Sequence, residues 1–227
     1  AAGLAPENTL PAIDAGIQHG VHAIEVDVHR TRDGKLVVMH DTSVERTTQS
    51  SGEIRDMTWD QIRQLDAGRH FAPSYAGTSV PSLSQVIERV LGAGCTLIVE
   101  VKDPALYPGI AQDLADLFAD RVPSVGDDVV VISFDVEWLR HFHKAAPDVR
   151  LGQLHLWGGN WPDVTGTFAV DVYWQSVILD PTLLWRARRR GYRCWVWTLN
   201  KPWIGRLLWI LGVEAVTTDR PDLIRSP

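Results

Sequence analysis

Strand-like and helix-like segments alternate along almost the whole of this chain, and this alternation restricts the fold more than any other feature. Short apolar runs such as residues 96–102 and 129–134 are each followed by a segment whose apolar residues have helical spacing. Repeated β-α units of this length predict a parallel sheet with helices against it. Seven such strands are predicted, around Ile24, Ile98, Val131, Gly152, Trp174, Val196 and Val216.

Eight strands of this kind would close a barrel, and 227 residues is close to the usual length of a single α/β barrel. The chain begins in a loop that leads directly into a helix over residues 9–19, for which Asn8 is the expected cap. We therefore predict one α/β domain over residues 1–227, a (β/α)8 TIM barrel whose first strand is missing from this chain. The stretch 42–81 is polar and turn-rich.

Composition excludes several classes of partner. A net charge of −6 argues against nucleic acid, because binding to a phosphate backbone requires a positive surface. No apolar run approaches the ~20 residues of a membrane span. The two cysteines, Cys95 and Cys194, lie beside strand-like runs and are expected to be buried free thiols. We expect a cytoplasmic protein, although a secretion signal preceding Ala1 would be invisible in this sequence.

Two strands and a turn near the amino terminus carry the most chemistry. Residues 23–28 alternate apolar and acidic side chains, so Glu25 and Asp27 share one face. Asp33 and Gly34 predict a two-residue hairpin turn before a second strand over residues 36–40. That register places His40 opposite Asp27, at about 5 Å between Cβ atoms. The arrangement fits a divalent-metal site with an acid/base group beside it, or a solvated acidic face with a structural histidine.

Glu100 favours the metal site. It lies in an apolar strand, where an unpaired buried charge is costly, and a cation shared with Glu25 and Asp27 would remove that cost. Lys102 on the same face can neutralise an acidic cluster or bind a phosphate as a point charge. A buried ion pair between Glu100 and Lys102 is the structural alternative.

Nine short motifs resemble, in order, those of the glycerophosphodiester phosphodiesterase family. They span nearly the whole chain: APENT (5–9), IEVDV (24–28), TRDG (31–34), VMHD (38–41), RTT (46–48), G (52), EVK (100–102), WTLN (197–200) and TDRP (218–221). No single motif is decisive, but their order is. The resemblance implies a (β/α)8 barrel with an insertion after the first metal-binding strand, which here matches 42–81.

The resemblance also implies roles for individual residues. Glu25, Asp27 and Glu100 match the metal ligands of the family, with Mg²⁺ or Ca²⁺ as the cation. His40 matches one of two catalytic histidines, while Lys102 and Trp197 match residues that line the phosphate and substrate pocket. The second histidine belongs to a His-Arg-Gly motif that ends the family's first strand. That motif is absent here, in agreement with the missing strand.

The implied reaction is the metal-dependent hydrolysis of a small-molecule glycerophosphodiester to sn-glycerol 3-phosphate and an alcohol, a step of lipid and glycerol metabolism. Without the second histidine, activity should fall on the order of 10²–10⁴-fold, so we expect this chain alone to be poorly active. Two alternatives remain: a lysophospholipase D that accepts a retained acyl chain, and a non-catalytic barrel that binds phosphodiesters. A phosphoinositide-cleaving phospholipase C fits the motifs less well.

Tryptophan is frequent, with eight of ten residues from Trp157 onward. Trp157 and Trp161 lie in a loop after a predicted strand, on the expected rim of the site. One interpretation is a surface that contacts lipid weakly or binds choline, since tryptophan suits both. Packing within the loop is the alternative.

Overall fold

The computed structural model describes residues 1–122, 125–158 and 161–224. Its strands are β1 (Ala23–Arg30), β2 (Leu36–Val38), β3 (Thr96–Val101), β4 (Val129–Ser133), β5 (Arg150–His155), β6 (Thr167–Tyr173), β7 (Arg193–Trp197) and β8 (Ala215–Val216). Its helices are α1 (Leu10–Gln18), α2 (Trp59–Ile62), α3 (Leu83–Gly92), α4 (Ile110–Arg121), α5 (Val125–Asp128), α6 (Val136–Ala145), α7 (Trp174–Leu179), α8 (Thr182–Arg189) and α9 (Pro202–Leu211).

The eight strands form one sheet in the order β2-β1-β3-β4-β5-β6-β7-β8. All neighbours are parallel except β1 and β2, which form an antiparallel hairpin. Six of the seven strands other than β2 lie where the sequence predicts a barrel strand, and the seventh, β6, precedes its predicted position around Trp174. Among the described residues β1 and β8 do not pair with each other, so the sheet is open between them.

Apolar side chains on both faces of the parallel strands explain the fold. In β3, Leu97 and Val99 point outward into the core shared with the helices, whereas Ile98 points inward. The inner cluster contains Ile98, Val130, Ile132, Leu154, Ala169 and Trp195. Because side chains on one face recur every two residues, Glu100 follows one step beyond Ile98 at the carboxyl end of the strand. The inner cluster is therefore the floor of a cavity whose walls carry the polar residues.

Helix α3 illustrates how local sequence fixes an element. Ser82 is its N-cap and forms a capping box with Gln85. Leu83, Val86 and Val90 form its buried stripe against β3 and neighbouring elements.

The expected turn of the hairpin is wrong by one residue. The structure pairs Arg30 with Leu36 and Val28 with Val38, so the loop contains five residues, 31–35, rather than two. The cause is local: the Thr31 hydroxyl donates to Asp33 and accepts from the amide of Lys35, which closes a wider loop. Met39, and not His40, lies opposite Asp27, and its amide donates to the Asp27 carbonyl at 3.0 Å.

The expected strand around Trp174 is displaced. Strand β6 ends at Tyr173, and the following residues form α7. Val170 and Val172 face the outer core while Asp171 points inward. A buried acid in the middle of the strand concealed its alternation in the sequence.

The segment 42–81 holds two short 3₁₀ turns, at Ile54–Asp56 and Pro73–Tyr75, and the helix α2. Val44, Ile54 and Ile62 form a small apolar cluster with residues of the β2 region.

In the described part of the chain, no helix is both long and apolar enough to cross a bilayer. Cys95 and Cys194 are buried free thiols, as expected.

Candidate active site

Three carboxylates converge at the carboxyl ends of β1 and β3. Glu25 and Asp27 lie on the inner face of β1, and register places Asp27 beside Glu100 of β3. One ligand oxygen from each of the three lies within 4.8 Å of the others. The structure thus brings together the three residues for which the sequence predicts a metal site.

The carboxylates are buried enough to repel one another strongly. Burial first, and then the charges of Asp27 and Glu100, raise the pKa of Glu25 well above its usual value. Burial and the charge of Asp27 raise the pKa of Glu100 to about 7. Among the described residues, Oε1 of Glu25 is buried without a hydrogen-bond partner. A divalent cation fits these observations, because it would give the orphaned oxygen a partner and offset the repulsion.

Lys102 lies between the carboxylates and His40. Its Nζ is 3.3 Å from both Asp27 Oδ1 and Glu100 Oε1. Burial alone would lower the pKa of Lys102, but the charges of Asp27 and Glu100 outweigh it and raise the pKa above its usual value. Lys102 is therefore a permanent cation at the edge of the cluster. The Glu100–Lys102 ion pair, which was the alternative to a metal site, is present, but it is part of this larger group.

The imidazole of His40 reaches the cluster through Lys102. Its Nε2 is 3.0 Å from Lys102 Nζ and its Nδ1 is 2.7 Å from Asp41 Oδ1. An ammonium can only donate, so Nε2 accepts and the proton of neutral His40 lies on Nδ1, facing Asp41. In this tautomer the lone pair of Nε2 is directed at Lys102, on the side of the ring that faces the cavity.

Asp41 is held in turn by Arg46. Arg46 Nε donates to Asp41 at 2.6 Å, and its terminal nitrogens donate to Glu7, one of them at 2.9 Å. Hydrogen bonding to Arg46 is the main reason that the pKa of Asp41 falls to about 2, against the opposing effect of burial. Asp41 thus stays ionised and orients His40, as second-layer carboxylates commonly do for histidines.

Asn8 belongs to the site, and the expectation that it caps α1 is wrong. Thr9 is the N-cap, and Asn8 adopts a left-handed backbone conformation with φ of 54°. Its Nδ2 donates to Asp27 Oδ2 at 2.8 Å, and its Oδ1 accepts from the Asp27 amide at 3.1 Å. The side chain therefore fixes the orientation of Asp27. Asn8 lies in the APENT motif of the sequence, but the motif did not indicate that its side chain contacts Asp27.

His29 is a second residue of the site that the sequence did not indicate. It is fully buried, its ring packs 5.3 Å from that of Tyr107, and its Nε2 is 3.2 Å from the carbonyl oxygen of His40. Burial lowers the pKa of His29, which favours the neutral ring. A neutral Nε2–H donor there fixes the backbone of His40.

Asp171 is a fourth acid beneath the cluster. It is 2% exposed, and within the described ranges its Oδ1 has no hydrogen-bond partner. Burial, followed by the charge of Glu100, raises the pKa of Asp171 well above its usual value. Nothing in the sequence marks Asp171 clearly, because the acid interrupts the apolar pattern of residues 167–173.

The carboxylates open into a cavity of about 1430 Å³ that Trp197 also lines. The indole of Trp197 donates to the Asp171 carbonyl at 3.2 Å, which holds the ring at the wall. Trp157 and Trp161 have different environments. Trp157 is 61% exposed at the rim, whereas Trp161 is 2% exposed and packs in the core between α8 and β7. Of the two interpretations of these tryptophans, packing is therefore confirmed for Trp161, whereas the side chain of Trp157 is at the surface.

The model of the glycerophosphoryl diester phosphodiesterase family matches residues 1–223 of the chain. A glycerophosphodiester phosphodiesterase of Caldanaerobacter subterraneus subsp. tengcongensis is 31% identical over 222 residues, which are 96% of this chain and 90% of that protein. Another, of Bacillus subtilis, is 31% identical over 245 residues, covering 100% of this chain and 83% of that protein.

Solved structures show the same fold. A glycerophosphodiester phosphodiesterase of Agrobacterium tumefaciens superposes with a TM-score of 0.84 at 26% identity, covering 97% of this chain and 94% of that one. A phosphodiesterase of Oleispira antarctica, in complex with the product sn-glycerol-3-phosphate, superposes with a TM-score of 0.87 at 24% identity, covering 97% and 90%. The TIM-barrel architecture predicted from the alternating segments is confirmed.

Proposed function

Since this chain belongs to the glycerophosphoryl diester phosphodiesterase family, whose members are phosphoric diester hydrolases, we propose that it hydrolyses glycerophosphodiesters to sn-glycerol 3-phosphate and an alcohol with the help of one divalent cation. The observation that carries the proposal is the group of Glu25, Asp27 and Glu100 beside Lys102 and His40. The product held by the Oleispira antarctica phosphodiesterase is consistent with this substrate class.

Glu25, Asp27 and Glu100 would hold the cation, either Mg²⁺ or Ca²⁺, since both prefer oxygen ligands. When bound, the ion supplies positive charge to the phosphate oxygens as negative charge develops on them. Lys102 adds a second, permanent positive charge on the same side of the cavity. Asn8 and the β1 backbone keep Asp27 in a fixed orientation.

Neutral His40 is placed to act as a general base by its contacts with Asp41 and Lys102. Its Nε2, which accepts from Lys102 in this structure, would accept the proton of the nucleophile, a water or the 2-hydroxyl of glycerol, while Nδ1–H stays hydrogen-bonded to Asp41. The imidazolium formed is stabilised by the Asp41 carboxylate, which Arg46 keeps ionised. With His40 as the base, protonation of the leaving alcohol falls to the histidine of the His-Arg-Gly motif, which is absent from this sequence.

The test is release of sn-glycerol 3-phosphate from glycerophosphocholine with Mg²⁺ or Ca²⁺, with and without a chelator. The chain as it stands is compared with one extended by a strand that ends in His-Arg-Gly. We expect chelator-sensitive turnover that is on the order of 10²–10⁴-fold faster in the extended chain.

Three variants assign the residues. Glu100→Gln should abolish ion binding in calorimetry together with turnover, and His40→Ala should abolish turnover while ion binding persists. Glu137→Gln, on an exposed position of α6, is the matched control and should change neither. Absence of turnover from both folded chains, with ion and phosphodiester bound, would instead support a non-catalytic phosphodiester-binding barrel.

A second candidate, lysophospholipase D activity, is favoured by apolar side chains at the rim. Leu156, Trp157 and Leu179 follow β5 and β6 and are 59%, 61% and 75% exposed. They offer an acyl chain an apolar path beside the cavity. Turnover of lysophosphatidylcholine that equals or exceeds that of glycerophosphocholine would establish this candidate.

A further inference from the structure

Four aromatic side chains follow the carboxyl ends of four successive strands. Phe134 comes directly after β4, Trp157 two residues after β5, Tyr173 ends β6 and Trp197 ends β7. The carboxyl ends of parallel strands meet at one end of the sheet, so the four rings lie at the end that holds the carboxylates. We call these four residues the aromatic wall.

The rings of the aromatic wall are in mutual contact. The centroid of Phe134 is 5.7 Å from that of Trp197, Trp197 is 5.4 Å from Tyr173, and Tyr173 is 6.2 Å from Trp157. Two of the contacts are edge-to-face, at 89°. Phe134 and Trp197 line the cavity that also contains Glu25, Asp27 and Glu100. The wall therefore runs without interruption from the cavity to the exposed ring of Trp157.

The polar and aromatic sides of the cavity come from different strands. The three carboxylates of the candidate metal site and Lys102 come from β1, β3 and the residue after β3, whereas the aromatic wall comes from β4 to β7 and the residues that follow them; Asp171 of β6 lies buried beneath. The two substituents of a bound phosphodiester differ in the same way. Glycerol hydroxyls need hydrogen-bonding partners, which the side with Glu7, Lys102 and Arg46 supplies. The other substituent then lies against rings that carry no charge.

We propose that the aromatic wall is the subsite of the leaving alcohol and that it takes a quaternary ammonium group. This inference rests on the proposed function. A quaternary ammonium has no N–H to donate and is attracted by the faces of aromatic rings, so it needs no carboxylate partner. A primary ammonium, in contrast, would lose hydrogen bonds to water that the wall does not replace. The phosphodiesters selected are thus those of choline, whether soluble or with an acyl chain retained.

The test compares glycerophosphocholine with its neutral isostere, in which the trimethylammonium is replaced by tert-butyl, by calorimetry with Mg²⁺. The chain carries His40→Ala so that ligand is not consumed. We expect glycerophosphocholine to bind about five- to thirtyfold more tightly than the isostere, the range of a cation on partly desolvated rings. Equal or tighter binding of the isostere would overturn the inference, even if the unsubstituted chain hydrolyses phosphodiesters normally.

Matched substitutions locate the effect. Trp157→Leu and Phe134→Leu remove a ring from exposed positions, where misfolding is not expected, and should each reduce the preference for choline severalfold. Trp157→Phe keeps a ring and should retain most of it. Trp185→Leu is the control: this tryptophan is 58% exposed on α8, where Arg189 covers its ring. A loss of preference in the control, or its retention in both leucine variants, would refute the assignment.

Two further arms separate the remaining outcomes. Lysophosphatidylcholine and its tert-butyl isostere should show the same preference if the quaternary ammonium itself is recognised, and no preference in that pair would contradict the inference. Failure of both soluble ligands to bind, together with absence of sn-glycerol 3-phosphate release, would remove the proposed function and the inference with it.

Discussion

Asn8 provides the sharpest test of how this site is held together. Its side chain makes two hydrogen bonds to Asp27, whose own side chain is only 6% exposed. The Asn8→Gly substitution removes both bonds and keeps the left-handed backbone free of strain. A hydrogen bond to a charged group contributes about 1.5–3 kcal/mol and a neutral one about 0.5–1.5 kcal/mol. We expect the free energy of unfolding to fall by about 2–4 kcal/mol.

Two further substitutions separate the backbone from the side chain. Asn8→Ala removes the same bonds but places a Cβ at φ of 54°, which costs about 1–2 kcal/mol more than glycine. Asn8→Asp tolerates that conformation, yet it replaces a donor by a carboxylate at 2.8 Å from Asp27 Oδ2 and so adds repulsion. The order of stability without added cation should be asparagine, then glycine, then alanine.

The assay is urea unfolding with and without Mg²⁺ or Ca²⁺, paired with calorimetric ion binding. Loss of a residue that orients a metal ligand typically weakens ion affinity about 10–100-fold, and we expect that loss for Asn8→Gly. The reasoning is refuted if Asn8→Gly binds the ion as tightly as the parent chain. It is also refuted if the alanine variant is as stable as the glycine variant.

Three other properties follow from local contacts. Hydrogen bonding to Arg46 is the main reason that the pKa of Asp41 is lowered to about 2, so the contribution of Asp41 to stability is present above about pH 4 and is lost as pH falls towards 2. The Asp41→Asn substitution should therefore make the free energy of unfolding less dependent on pH in that window. An unchanged pH profile would contradict this. Ser82→Ala should lower the free energy of unfolding by about 1 kcal/mol through loss of the α3 cap, whereas Ser84→Ala, inside the helix, should not. The thiol of Cys194 is 2% exposed and burial raises its pKa to about 12, so a thiol reagent should modify it only after unfolding; rapid modification of the native protein would show that the core around it opens.

Periodicity in the sequence was sufficient to predict the barrel sheet and the carboxylate group. Apolar alternation marks each parallel strand because both faces are buried, and a period of two places Glu25 and Asp27 on one face. The strand register then brings Glu100 beside them, since the working residues of such sheets lie at the carboxyl ends of strands. These inferences rest on the chain's local repeat and on the parallel topology alone.

What escaped prediction depends on contacts between residues far apart in sequence, or on a single hydrogen bond. A threonine side chain widened the hairpin loop and moved His40 away from Asp27, by an interaction that residue-type preferences for turns do not contain. The role of Asn8 needs the loop of residues 1–9 to lie over β1, 19 residues further along the chain. Only the tertiary structure decides such contacts, because burial and backbone approach, not local preference, select the partner of each polar group.

The aromatic wall shows the same division. The sequence displays an excess of tryptophan, but Trp157 and Trp161 lie in one loop and are indistinguishable there. In the structure one is exposed beside the cavity and the other is buried. The sequence by itself therefore determined the sheet, the inward positions of its acids and the family to which the chain belongs. Which rings meet, which oxygens are left unpaired and which histidine nitrogen faces Lys102 were decided by contacts between residues far apart in the sequence. These contacts exist only after the sheet has formed.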